Sequence, residues 1–297
     1  MKTLKIVSYN LHGIQTNDEW RFGKIAYELS QHETDICGFQ EVINGYGIED
    51  TSYQVAHHMK NITGLPYTTH WLFCHYFNDI YPEGLSIMSH HPMVNPVRID
   101  LNENLSCKAK PLLTRFALSA EINIDGKKLL FTSLHLDHHK DRILRTSQAE
   151  KLLLELGNFY DTEQYICSII TGDFNDLDTS PCIKYFEEQG YKDSYRAVNK
   201  KGGNTFYSGK PTVRIDFIMI KGDVDIVKSE LILYDSSLSD HVGIATTINI
   251  AEPAEEAKEP EKKEEAAEEK KEEAAEEKKE EVAEEEKSEE KKEAEEA

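Results

Sequence analysis

Short apolar runs, each closed by a polar motif, recur along the first 250 residues. Residues 5–7 and 166–170 are examples, and runs of this kind predict strands buried in a sheet. The polar residues that follow are then carried to one rim of the sheet. Six such motifs occur in order: Ser8 to Asn10, Gln40 with Glu41, His135, Gly172 to Asn175, Arg214 to Asp216, and Ser239 to His241. The pattern predicts a site assembled from strand ends.

Helical periodicity alternates with these strand-like runs. Residues 20–33 and 141–156 each place apolar side chains on one face of a helix. Two strand-like segments, residues 115–124 and 128–136, flank an Asp-Gly pair that is typical of a β-hairpin turn. Because crossovers join parallel strands and hairpins join antiparallel ones, the pattern predicts mixed sheets.

The net charge of −21 is divided unevenly along the chain. Residues 1–250 carry 24 Lys and Arg against 32 Asp and Glu, a charge of −8, whereas residues 251–297 carry 10 Lys against 23 Glu, a charge of −13. The first part is long enough to bury one large core. The second part has few apolar residues besides Ala, so burial cannot offset the entropy of ordering it. We therefore expect one domain at residues 1–250 and a low-complexity acidic tail at residues 251–297.

The tail repeats an eight-residue unit of Glu, Lys and Ala from Glu261 onward. These are good helix formers, but an eight-residue period does not keep a seam on one helix face, so a coiled coil is not expected. We expect disorder or a fluctuating helix. A solvating segment and an acidic interaction arm are the two roles open to it.

The five cysteines form no CxxC pair, and the sequence contains neither an apolar leader nor an apolar stretch of membrane-spanning length. These features predict reduced thiols and no transmembrane segment. We expect a soluble, cytoplasmic protein that acts as a monomer.

The strand-end motifs supply carboxylates, amides and imidazoles, and they include no Lys or Cys nucleophile. Hard oxygen ligands suit Mg²⁺ or Mn²⁺ and leave zinc, which favours clusters of His and Cys, as the poorer match. The candidate residues are Asn10, Glu41, His135, Asp173, Asn175, Asp216, Asp240 and His241.

Taken in order, the motifs resemble those of the endonuclease/exonuclease/phosphatase superfamily over about residues 1–250. This superfamily includes deoxyribonuclease I, the exonuclease III class of abasic-site nucleases, neutral sphingomyelinases and inositol polyphosphate 5-phosphatases. Residues 84–89 are similar to its central strand, and Arg145 with Gln148 is similar to the start of the helix after its first catalytic histidine. The resemblance implies a four-layer α/β sandwich, with two mixed β-sheets packed face to face and helices outside.

The resemblance also implies the metal-binding residues. Glu41 would be the principal ligand, with Asn10 and Asp240 as further members of the metal site. Asp173 and Asn175 lie two residues apart, so on an extended strand end both side chains would project to the same side. Asp173 would then hold the attacking water or the metal while Asn175 donates to the phosphate. The alternative for this pair is an Asx turn.

Proton transfer is implied for the remaining motif residues. His241 would act as the general base, with Asp216 fixing its tautomer, and His135 would donate to the phosphate. Glu83 is expected to orient His135, as a similarly placed Glu does in some members. Arg115 has two open interpretations, a phosphate ligand and a salt-bridged framework residue, whereas for Arg145 the framework role is favoured.

The implied activity is divalent-metal-dependent hydrolysis of phosphoester bonds, with a metal-activated water and a His-Asp general base. Mg²⁺ or Mn²⁺ is the implied cofactor. The substrate is left open among nucleic acid, a phospholipid head group and a small phosphodiester, although a charge of −8 without a Lys/Arg run is not typical of polyanion binding. The alternatives are a phosphomonoesterase, such as an inositol phosphate phosphatase, and a non-catalytic binding protein that keeps the fold.

Overall fold

A computed structural model describes residues 2–13 and 19–250, which form two six-stranded sheets and their covering helices. The first sheet comprises β1 (Lys2–Asn10), β2 (Ile36–Ile43), β3 (Thr68–Phe77), β4 (Tyr81–Ser89), β11 (Val224–Ile232) and β12 (Gly243–Ile250). The second comprises β5 (Met93–Asp100), β6 (Phe116–Ile124), β7 (Lys127–His135), β8 (Cys167–Asp173), β9 (Lys192–Asp193) and β10 (Asp216–Gly222). The acidic tail predicted at residues 251–297 lies outside the described residues.

The helices lie between the strands in sequence. They are α1 (Glu19–Gln31), α2 (Thr51–Thr63), α3 (Ile143–Phe159), α4 (Pro181–Glu188) and α5 (Ser194–Val198), together with one 3₁₀ turn, Thr162–Gln164. The helices predicted at residues 20–33 and 141–156 are therefore confirmed. Within the described part of the chain, no helix is both long enough and apolar enough to cross a membrane.

Both sheets are mixed, as predicted. The strand order is β11-β12-β1-β2-β4-β3 in the first sheet and β5-β6-β7-β8-β10-β9 in the second. The pairs β1–β2 and β7–β8 are parallel, and the other pairs are antiparallel. The hairpin between β6 and β7 turns at Asp125 and Gly126, whose φ angles of 51° and 86° are those a two-residue hairpin turn requires.

The two-residue period of each strand divides its side chains between two cores. On β1, Leu4 and Ile6 face the other sheet, whereas Val7 and Tyr9 pack outward against α1 and α2. The second sheet is built in the same way, with one face between the sheets and the other covered by α3 and α4. The layers are thus helices, sheet, sheet and helices, which confirms the four-layer α/β sandwich. Burial of each of these Leu, Ile or Phe side chains stabilises the folded state by about 1.5–3 kcal/mol relative to leaving it exposed to water.

The inward faces change from apolar to polar toward one end of the sandwich. On β1 the row that begins with Leu4 and Ile6 continues through Asn10, and on β8 the row that contains Ile169 continues through Asp173. Asn10 and Asp173 are both buried. The polar end of the inter-sheet core therefore forms the floor of a site.

Gly38 allows the two sheets to approach each other where the core becomes polar. A Cβ at this position would lie 2.1 Å from Oγ1 of Thr171 on the opposite sheet. Beside it, Ser133 Oγ donates to the carbonyl oxygen of Phe39 at 3.1 Å and accepts from Gln40 Nε2 at 3.2 Å. These hydrogen bonds satisfy buried polar groups and join the two sheets next to the site.

Candidate active site

The register of the second sheet brings three predicted residues together. His135 on β7 is paired with Asp173 on β8, and Asp173 is paired in turn with Asp216 on β10. Residues paired in this way have side chains on the same face of a sheet. Nε2 of His135 lies 3.4 Å from Oδ2 of Asp173, so the sheet alone fixes the centre of the site.

The first sheet contributes Asn10 and Glu41. The pairing of β2 with β4 is irregular between Phe39 and Val42, and Glu41 within that bulge has a φ of 53°. A bulge of this kind changes the direction of a side chain. Asn10 Nδ2 donates to Oε1 of Glu41 at 3.0 Å and contacts Oδ2 of Asp173 at 3.4 Å. Asn10 therefore connects carboxylates that come from different sheets.

His241 reaches the same centre from the residues just before β12. Its Nδ1 lies 2.9 Å from Oδ2 of Asp216, and its Nε2 lies 3.6 Å from Oδ2 of Asp173. Burial favours the neutral ring, but the charge and hydrogen bond of Asp216 outweigh it and raise the pKa of His241 to about 10. In the absence of a cation the imidazole is therefore protonated at neutral pH.

His135 has the opposite protonation state. Burial, followed by the charge of Arg115, lowers the pKa of His135 well below its usual value, so the ring is neutral. Nδ2 of Asn175 lies 3.0 Å from Nε2 of His135 and also donates to the carbonyl oxygen of Leu136 at 3.0 Å. An amide nitrogen can only donate, so Nε2 accepts and the ring proton is on Nδ1.

Asp173 and Asn175 are not arranged on an extended strand end, and that expectation is wrong. β8 ends at Asp173, and Asn175 has a φ of 51°. Oδ1 of Asp173 accepts the backbone N–H of Asn175 at 2.9 Å, which is the Asx turn that the sequence left as the alternative. Asn175 nevertheless belongs to the site, because its side chain turns back to His135.

Glu83 contacts His75 and not His135, so the predicted partner is wrong. Oε1 of Glu83 lies 3.1 Å from Nε2 of His75. The physical reason is the register of β3 with β4, which pairs His75 directly with Glu83, whereas His135 belongs to the other sheet. A bulge beside His75 shifts that register, and strand alternation in the sequence gives no signal for the shift.

A cavity of about 290 Å³, open to solvent, lies at the polar end of the two sheets and is lined by residues of both sheets and of the neighbouring loops. We call it the site cavity. Its wall includes most of the predicted residues, and these are Glu41, Glu83, Arg115, His135, Asp173, Asn175, Asp240 and His241. It also includes side chains outside the predicted site residues, among them His75, Phe77 and His138. His138 is exposed in the loop after β7 and also borders the site cavity.

Arg115 and Arg145 have different environments. Arg115 is only 3% exposed, yet among the described residues no carboxylate oxygen lies within 4 Å of its guanidinium, and its Nε has no hydrogen-bond acceptor. Arg145 contacts Asp176 at 3.0 Å and donates to the carbonyl oxygens of Asp137 and His139. Buried charges are normally paired, so Arg145 is a framework residue as predicted, and Arg115 is available to an anion.

Asp240 lies apart from the central carboxylates. Its Oδ1 is 3.2 Å from Nδ1 of His12. Among the described residues, two groups at this site have ligand atoms within 4.8 Å of one another, and neither includes Asp240; they are Glu41 with His135 and Asp173, and Asp173 with Asp216 and His241. Asp240 borders the site cavity, and its assignment as a metal ligand stays a prediction.

The central carboxylates are crowded. Burial of its carboxylate and the charge of Glu83 raise the pKa of Glu41, and burial together with the charge of Asp216 raises the pKa of Asp173. A divalent cation beside these groups would relieve the repulsion between their ionised forms. Carboxylate oxygens with a neighbouring amide are the donors that Mg²⁺ or Mn²⁺ prefers, so the residues present fit such an ion.

Comparisons with known proteins identify the family and the fold. The sequence model of the Endonuclease/Exonuclease/phosphatase family matches residues 7–241. A family protein from Leptotrichia buccalis superposes with a TM-score of 0.69 at 20% identity, covering 83% of this chain and 100% of that chain. An endonuclease/exonuclease/phosphatase from Bacteroides vulgatus gives 0.68 at 18% identity, covering 84% and 100%. A mannosyl-6-phosphatase from Bacteroides thetaiotaomicron gives 0.65 at 22% identity, covering 83% and 100%. At these identities the structural likeness supports the fold alone. A search of curated proteins found no match.

Proposed function

The chain belongs to the endonuclease/exonuclease/phosphatase family, and from this premise we propose that it is a divalent-metal-dependent phosphoesterase. One observation supports this proposal more than any other. Crowded carboxylates border the same cavity as Arg115, a buried arginine with no carboxylate partner among the described residues. The carboxylates suit a divalent cation. The guanidinium of Arg115 suits the anionic phosphoryl group, which the cation would also contact.

We assign the cation to Glu41 and Asp173, whose carboxylates Asn10 connects. When bound, Mg²⁺ or Mn²⁺ neutralises charge on the phosphoryl oxygens and lowers the pKa of water. Asn10 keeps the two carboxylates at a fixed separation, so little rearrangement is needed on binding. Asp240 is a further candidate ligand from the cavity wall.

We assign proton transfer to His241 and Asp216. A general base must be neutral, and His241 in the absence of a cation is protonated because of its acidic neighbours. A cation held by Glu41 and Asp173 would oppose the imidazolium and so would favour the neutral ring of His241. Asp216 holds the proton on Nδ1, which leaves Nε2, on the Asp173 side, to accept a proton from water.

We assign stabilisation of the phosphoryl group to Arg115 and His135, with Asn175 as the residue that positions His135. The guanidinium of Arg115 carries a permanent charge, and His135 is neutral with its proton on Nδ1. Donors fixed in a buried site stabilise developing negative charge without having to reorganise. Asn175 positions the ring of His135 through the contact of its Nδ2 with Nε2.

The charge of the domain bears on the substrate. The site cavity, about 290 Å³, is open to solvent and accommodates a phosphoryl group without limiting the size of the rest of the molecule. We favour a compact phosphoester or a head group over a polyanion, because residues 1–250 carry a charge of −8. A phosphomonoester is the second candidate, because one protein of similar fold is a mannosyl-6-phosphatase.

The test is a substrate panel measured in Mg²⁺ and in EDTA. It contains a chromogenic phosphodiester and its monoester analogue, inositol phosphates, sphingomyelin, DNA and RNA. We expect hydrolysis of at least one compound that stops in EDTA and returns with Mg²⁺ or Mn²⁺. Activity that persists in excess chelator would contradict the metal assignment. Saturable binding of a phosphoester without hydrolysis would favour a non-catalytic binding protein.

A further inference from the structure

A second group of potential metal ligands lies at the other end of the first sheet. Asp35 directly precedes β2, while His90 and His91 directly follow β4. These two strands are antiparallel neighbours, and the pairing of Ile36 with Ser89 places the two sets of residues side by side. Glu41 is six positions further along β2, so the two sites are about 20 Å apart at ~3.3 Å per strand residue.

Both imidazoles approach the same oxygen of Asp35. Oδ1 lies 2.9 Å from Nε2 of His90 and 3.6 Å from Nε2 of His91, and one ligand atom from each residue lies within 4.8 Å of the others. The second oxygen, Oδ2, accepts the backbone N–H of Lys5 at 2.7 Å. The backbone therefore orients the carboxylate and leaves Oδ1 directed at the two rings.

One ring nitrogen of His91 lacks a hydrogen-bond partner among the described residues. Its side chain is 11% exposed, and its Nε2 is buried without a hydrogen-bond partner among the described residues. The backbone N–H of His91 donates to Ser89 Oγ at 2.9 Å, and its ring lies against that of His90 with centroids 4.1 Å apart. A buried nitrogen without a hydrogen-bond partner is unfavourable, because the group loses its contact with water and gains nothing in return. A cation between Oδ1 and the two Nε2 atoms would satisfy His91.

We propose that Asp35, His90 and His91 form a second metal site, selective for zinc and similar transition ions. Two imidazole nitrogens and one carboxylate oxygen are the donors that such ions prefer, whereas Mg²⁺ requires more oxygen ligands. Three protein ligands leave one tetrahedral position for water. Because the ligands come from the ends of two neighbouring strands, the ion joins β2 to β4, and its effect is on stability.

The competing interpretation is a hydrogen-bonded cluster without a metal, in which the contact of His90 with Asp35 is sufficient. The two interpretations differ in zinc content and in spectroscopy, neither of which depends on phosphoesterase activity. His91→Asn is the informative variant, because it removes one ligand and retains the contact between His90 and Asp35. His57→Asn makes the same chemical change at an exposed position on α2 and is the matched control.

The experiment uses the full-length chain dialysed against zinc in excess Mg²⁺, followed by elemental analysis and cobalt substitution. The wild type, His57→Asn and Glu41→Gln are expected to retain one zinc and a cobalt d–d spectrum of a nitrogen-containing tetrahedral site. His91→Asn should lose both, with affinity falling by more than the roughly 10- to 100-fold seen when an outer hydrogen-bond partner of a metal ligand is removed. Circular dichroism verifies that each variant is folded.

Two results would overturn the proposal. If His91→Asn retains the same zinc content and cobalt spectrum as the wild type, the cluster does not bind the ion. If Glu41→Gln abolishes zinc binding while His91→Asn does not, the ion resides in the site cavity. Asp35→Asn serves as a second ligand variant, because it keeps both imidazoles and should also lose the zinc.

Discussion

Oδ2 of Asp216 lies 2.9 Å from Nδ1 of His241, and this contact joins the two sheets of the sandwich. Asp216 begins β10 of the second sheet, and His241 comes two residues before β12 of the first. A carboxylate at Nδ1 fixes the imidazole tautomer and leaves Nε2 on the side of Asp173. Orienting the ring has no effect when the ring is absent, so we expect the two residues to act as one unit.

This expectation is tested by a double-mutant cycle. His241→Ala and Asp216→Asn should each lower kcat by about 10²-fold or more, the scale of general acid–base catalysis. The double variant should be little worse than the more impaired single variant, because residues that act as a unit are not additive. Steady-state kinetics on a chromogenic phosphodiester provides the measurement. A combined loss equal to the product of the two single losses would argue against the pairing.

Glu41→Gln should weaken the binding of Mg²⁺. The substitution removes the charge of the proposed principal ligand but retains an oxygen close to Asn10, so we expect a higher Mg²⁺ concentration at half-maximal activity. Isothermal titration of Mg²⁺ gives the same quantity without turnover. Asn175→Ala is the contrasting variant, because its contacts are to His135 and Leu136. It should lower kcat and leave Mg²⁺ affinity unchanged, and an equal loss of affinity in both variants would contradict the assignment.

Arg115→Ala should lower catalytic efficiency, whereas Arg145→Ala should lower the stability of the fold. Arg115 has no carboxylate partner among the described residues, so its loss should cost kcat/KM on the order of 10²-fold with no loss of stability. Loss of Arg145 leaves the buried carboxylate of Asp176 with only its 3.5 Å contact to the half-exposed Arg142, and should destabilise the fold by up to about 3–5 kcal/mol, the cost of a buried charge without compensation. Urea unfolding and steady-state kinetics of both variants test this contrast. Equal destabilisation by the two substitutions would make Arg115 a framework residue.

The strand-end motifs predicted that His135, Asp173 and Asp216 lie together, whereas the roles proposed for them came from the family resemblance. His135, Asp173 and Asp216 lie on regular stretches of neighbouring strands, where the two-residue period alone decides which face a side chain occupies. The motifs therefore identified these residues, and the family resemblance supplied the packing of one sheet on the other. Periodicity gives no information on packing between sheets.

Bulges and turns account for what the sequence did not predict. The partner of Glu83 depends on a register shift beside His75, and Asn175 leaves the strand direction through a left-handed turn. Neither feature alters the pattern of apolar and polar residues. Arg115 is a third case. The sequence shows that an arginine is present, but it does not show whether a carboxylate lies beside that arginine in the folded chain. That distinction appears only once the surrounding residues are placed in space.

Asp178→Asn should destabilise the protein in a pH-dependent manner. Burial raises the pKa of Asp178, but its hydrogen bond from Arg196 and the charge of Arg214 outweigh this, and the net effect lowers the pKa. A folded-state pKa below the unfolded value gives stability that is present above the ordinary Asp pKa of about 3.9 and lost as pH falls through the folded value. The difference in thermal midpoint between wild type and variant should therefore be largest near neutral pH and shrink below about pH 3.9. A difference that stays constant down to strongly acidic pH would mean that the effect is not electrostatic.

Truncation after Ile250 should leave the thermal midpoint and the turnover of a small phosphodiester unchanged. The described part of the chain ends with β12, which pairs along its length with β1, from Ser8 with Ile244 to Lys2 with Ile250. Residues 251–297 carry a charge of −13 and none of the site motifs. A negative arm repels a polyanion, so any cleavage of DNA or RNA should increase on truncation at low salt, and the increase should shrink as salt screens the charge. A truncated chain that unfolds, or that loses turnover of the small substrate, would place the domain boundary beyond residue 250.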